Sequence, residues 1–85
     1  MNNVKSSEIL LSLKNRTLEV SKDINEMVIV HYKGAEVKYG ICLHSICGRG
    51  MTFEDACDDY LSQIRGKTLV FDACTDHRKE VIVLG

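Results

Sequence analysis

Two spacings of apolar residues divide this chain into elements. Near the start, Ile9, Leu10 and Leu13 share one helical face, with Ser6 or Ser7 available as a cap and Glu8 suited to the positive first turn. This predicts a short helix over residues 6–14, which must pack on something to be stable. The period then changes. Leu18 and Val20 alternate within Thr17–Val20, and Met27–Tyr32 is a nearly continuous β-branched run that predicts a central strand covered on both faces. Lys33-Gly34 suits a tight hairpin, and a third strand is expected over about 35–47, broken by Gly48-Arg49-Gly50. The helical period returns at Phe53, Ala56, Cys57, Tyr60, Leu61 and Ile64, spaced i, i+3, i+4, i+7, i+8 and i+11. Thr52 is the expected N-cap, with Asp55 at the capping-box position and Gly66 as terminator. Thr68–Cys74 and Glu80–Leu84 complete the pattern as two strands joined by a polar turn.

The expected order is α-β-β-β-α-β-β. Short connections favour an α+β fold in which an antiparallel sheet carries its helices on one face, as a single domain spanning residues 1–85. A chain of this size hides roughly 60–65% of the surface its unfolded form exposes. Pairing into a homodimer would supplement so small a core, with the first or last strand as the natural seam.

Composition then narrows the function. Eleven Lys and Arg oppose twelve Asp and Glu, for a net charge of -1. A nucleic-acid binder needs a basic excess to displace counterions, so a nucleic-acid partner is not expected. No apolar run approaches the ~20 residues of a membrane span, and Ser12 and Lys14 interrupt the N-terminal apolar segment. The expected location is the cytoplasm, where the four cysteines serve as reduced thiols rather than a disulfide framework.

Cys42, Cys47, Cys74 and His77 can be drawn as a Cys-x4-Cys…Cys-x2-His zinc set, with His44 nearby. A regular strand, however, points Cys42 and His44 to one face and Cys47 to the other, so no metal site and no cofactor are expected. Thiol catalysis lacks an orienting third group, and Cys57 falls on the apolar helix stripe, so no catalytic residue is assigned. Gly48–Thr52 resembles an anion-binding turn but lacks the P-loop residues, and Glu54 and Asp55 would repel phosphate. The remaining feature is the acidic helix face, Glu54, Asp55, Asp58 and Asp59. It is expected to be solvated, and it is also the candidate surface for a basic partner protein.

The segment from Tyr39 to Ile64, with Gly-Arg-Gly-Met-Thr-Phe-Glu-Asp-Ala leading into the amphipathic helix, resembles the small HicB-like domain of antitoxins. The continuation Asp59–Phe71 is similar to small proteins of bacteriophages and prophages. The family's separate DNA-binding tail has no counterpart here, so autorepression is not expected. Together these readings lead to a non-enzymatic bacteriophage accessory protein. It would act in the host cytoplasm and bind a protein partner, with inhibition of a host factor or defence system as the expected role. The alternative is an orphan HicB-like antitoxin or RNA-binding module, with Lys5, Lys14 and Arg16 as phosphate contacts.

Overall fold

The computed structural model describes residues 2–5, 8, 9, 13 and 18–84. It is an α+β fold in which a mixed six-stranded sheet carries a helix against one side. The strands are β1 (Asn2–Lys5), β2 (Leu18–Lys22), β3 (Val28–Tyr39), β4 (Cys42–Gly50), β5 (Thr68–Phe71) and β6 (Lys79–Leu84), and the helix α1 is Phe53–Ile64. Of the expected helix over 6–14, Glu8, Ile9 and Leu13 are helical, and Ile9 and Leu13 belong to the core. The rest of that segment, Lys14 included, lies outside the described residues, as does Arg16.

Four expectations about the sheet need correction. The sheet is not wholly antiparallel, because β1, which was not anticipated, pairs in parallel with β6 from Asn2↔Val81 to Lys5↔Leu84. The final strand is therefore interior, between β5 and β1, and offers no free seam. No hairpin forms at Lys33-Gly34. The chain runs on to Tyr39 and turns at Gly40-Ile41, where Gly40 takes a φ of +61°. Nor is the strand broken off before Gly48, since Gly48 and Gly50 pair with Val30 and Val28 in the last residues of β4.

What the sequence presented as a turn is an irregularity inside β3. Val28, Val30 and Tyr32 face the core, then Lys33 and Gly34 are both exposed, and burial resumes at Ala35 and Val37. The interruption changes the parity, so both halves of the strand present their apolar side inward. It also lets β3 change partners along one edge: β2 covers residues 28–32, whereas β5 covers residues 35–38. β4 runs along the opposite edge of both halves, with the register shifting between His31 and Glu36. The Asp72 amide donates to the Gly34 carbonyl at 2.8 Å, tying the irregularity to the turn after β5.

The inward faces of the strands and α1 share one cluster, which includes Val30, Tyr32, Val37, Tyr60, Ile64, Leu69 and Val83. The core strand was expected to be covered on both faces. Ile29 and His31 are only half-buried, so the second face of β3 is partly open.

Candidate functional site

α1 begins where local chemistry places it. Thr52 is in an extended conformation, and its hydroxyl accepts the Asp55 amide at 3.1 Å. At the other end Gly66 adopts φ +75°, and its amide donates to the Val83 carbonyl at 2.8 Å, fastening the exit of the helix to β6. The apolar stripe is buried at Ala56, Cys57, Tyr60, Leu61 and Ile64, but its first member, Phe53, remains 42% exposed at the helix entrance.

Gly48 and Gly50 explain how closely this helix sits on the sheet. A Cβ on Gly48 would lie 2.1 Å from the Ala56 carbonyl oxygen, and one on Gly50 would lie 2.5 Å from the Asp55 Cβ. Both positions exclude side chains because helix backbone occupies the space. The glycines therefore serve helix packing.

The acidic residues divide into two groups. Glu54, Asp55 and Asp58 are exposed, and their carboxylates have no ion-pair partner among the described residues. Asp59 is half-buried and is engaged by the sheet. Its Oδ2 accepts the Arg49 amide at 2.9 Å and Gln63 Nε2 at 3.0 Å. The same Gln63 nitrogen donates to the Cys47 carbonyl at 2.8 Å. In an antiparallel ladder, the N–H and C=O of one residue point the same way and those of alternate residues share that direction. Asp59 and Gln63 therefore occupy outward-facing backbone groups of β4 that would otherwise be open to another strand. Gln63 was not singled out from the sequence. Its signal was available only as a position one helical turn after Asp59 on the same face.

The thiols and imidazoles are dispersed. Cys57 is buried, 3.6 Å from the Tyr32 hydroxyl, whereas Cys42, Cys47 and Cys74 are exposed. His44 lies edge-on to the Tyr39 ring, with 5.2 Å between centroids, and Lys67 Nζ stands 4.7 Å from the same ring. Cys74 and His77 belong to the turn between β5 and β6. Among the described residues no group of three or more His, Cys, Asp or Glu side chains is placed to hold a metal ion. The imidazole near Cys47 is one that the sequence did not suggest: His31 Nδ1 is 4.0 Å from Cys47 Sγ.

Two tyrosines stack at the heart of the core, with ring centroids 4.7 Å apart. Burial, and then the hydrogen bond to Cys57, push the Tyr32 phenol well above its ordinary range. Burial, and then electrostatic repulsion from the Cys47 position, do the same to Tyr60. The Tyr60 hydroxyl is buried without a hydrogen-bond partner among the described residues. On the surface, Glu80 is bonded by Arg78 and by Lys38 Nζ at 3.1 Å, and these hydrogen bonds hold its carboxyl below the usual glutamate range.

Compared with known proteins, the chain matches no family model, no curated protein and no solved structure.

Proposed function

We propose that this chain is a non-catalytic binding module that docks a basic protein surface against the exposed acidic face of α1. The carrying observation is the contrast between the two groups of carboxylates. Asp59 is committed to holding the helix on β4, which fixes the orientation of Glu54, Asp55 and Asp58 while leaving their charges unpaired among the described residues. Charges presented on a fixed element steer a partner of opposite sign and select its register more than they add raw affinity. Apolar contact is available beside them, because Met51 is 68% exposed and Phe53 42% exposed at the helix entrance. Large apolar side chains at an interface centre supply most of the binding free energy. The partner chemistry that fits is a basic segment carrying one or two apolar anchors.

The resemblance of Asp59–Phe71 to phage proteins supports a setting in which this module is an accessory protein acting on a host factor or defence system. The test is a quantitative capture of host-extract proteins on the immobilised chain and on an E54K/D58K variant that leaves Asp59 untouched. The expected result is a defined set of proteins retained by the parent chain, lost from the variant and released by moderate salt. Identical retention on both would overturn the assignment to α1.

A further inference from the structure

We propose that Cys47 is a reactive thiol, served by His31, and that it is modified by small disulfides. The pair is built by the sheet. Cys47 and His31 are direct partners in the β3–β4 register, and the outward direction of the Cys47 carbonyl marks this as a non-hydrogen-bonded pair, in which side chains approach most closely. Cys47 is exposed, and its Sγ lies 4.0 Å from His31 Nδ1. The same nitrogen is 3.4 Å from the Ile46 carbonyl oxygen.

This second contact gives a proton on Nδ1 a second acceptor. When the thiol proton moves to Nδ1, the new N–H lies between two acceptors, the Ile46 carbonyl and the thiolate. Nδ1 can take that proton in the Nε2–H tautomer, in which it is bare; in the Nδ1–H tautomer it already donates to the Ile46 carbonyl. Charged groups stand on the elements packed around the pair. Glu19 stands opposite His31 in the β2–β3 register. Arg49 follows Cys47 on the same outward face of β4, with no ion-pair partner for its guanidinium among the described residues. On the helix side, Asp59 is bonded to the Arg49 amide and to Gln63.

The step balances without a metal or cofactor. The Cys47 sulfur attacks one sulfur of a small disulfide RSSR, the Cys47–S–SR bond forms as the RS–SR bond breaks, and the leaving RS⁻ takes the proton held on His31. The products are the mixed disulfide and RSH.

Cys42 and Cys74 are exposed thiols of the same chain, and neither has a hydrogen-bonded imidazole among the described residues, so they act as internal controls. The full chain is treated at neutral pH with limiting glutathione disulfide, and separately with iodoacetamide, and each cysteine is followed by peptide mass spectrometry. Cys47 is expected to react about tenfold faster than either control, the scale of a modest general-base contribution. In H31Q, checked for folding by circular dichroism, its rate is expected to fall to that of the controls. Equal rates at the three thiols in the parent chain would overturn the proposal even if the variant failed to fold. An undiminished Cys47 rate in folded H31Q would remove His31 from it.

Discussion

At the residue scale, the clearest liability is the Tyr60 hydroxyl, buried without a hydrogen-bond partner among the described residues. An unsatisfied buried polar group costs about 1–3 kcal/mol, and its removal leaves the ring's packing on Tyr32 intact. Tyr60→Phe is therefore expected to raise the urea midpoint, corresponding to about 1 kcal/mol of added stability. A lowered midpoint would mean the hydroxyl has a partner. Gly48→Ala is the opposite case, since its Cβ would meet the Ala56 carbonyl oxygen at 2.1 Å. Helix and strand would have to separate, with an expected loss of about 3 kcal/mol or more, readable in the same titration. Glu80 gives a pH signature. Hydrogen bonds from Arg78 and Lys38 lower its folded pKa, so its contribution is complete above the unfolded value and lost as pH falls through the folded one. The stability difference between the parent chain and Glu80→Gln should thus shrink as the pH drops below about 4.3, the ordinary glutamate value. Thr52 and Gly66 were legible in the sequence because capping is local: one hydroxyl reaches an amide three residues on, and one glycine supplies a positive φ. The Cys47–His31 pair was not, because a regular hairpin closed at Gly40-Ile41 would set Cys47 opposite Gly34, and the irregularity in β3 moves it to His31.

At the scale of elements, α1 was legible almost to the residue, since its period, cap and terminator agree. The strands were legible as apolar runs but not in their connections. Lys33-Gly34 carries the chemistry of a turn, and the fold uses Gly34's φ of +82° to shift parity inside one long strand instead. β1 escaped notice because its four residues, Asn-Asn-Val-Lys, have little strand character, and parallel pairing to β6 supplies the order that propensity does not. The contact between α1 and the edge of β4 is likewise tertiary. Replacing Asp59 and Gln63 with Ala leaves the Arg49 amide and Cys47 carbonyl without these partners. We expect the double variant to lose about 1–2 kcal/mol in urea unfolding. Its freed strand edge should add a concentration-dependent associated species in sedimentation velocity. Unchanged stability and unchanged sedimentation would show that these bonds neither hold the helix nor protect the edge.

For the whole molecule, a net charge of -1 conceals an uneven distribution. Glu54, Asp55 and Asp58 gather on the outer side of α1, whereas on β6 the Glu80 carboxylate is paired with both Lys38 and Arg78. The α+β class followed from the order of apolar periods, and the acidic face followed from the helix period. The division of labour between Asp59 and its three neighbours did not, because it depends on which backbone groups β4 presents to the helix. The proposed function turns on that division: a helix held by Asp59 and Gln63, presenting the other carboxylates to a basic partner. The most direct test is to titrate a partner recovered by capture against the parent chain and against E54K/D58K over a range of salt. The expected result is an affinity at least about tenfold weaker for the variant at low salt, converging with the parent as screening increases. Equal affinities for the two folded proteins at every salt concentration would contradict it.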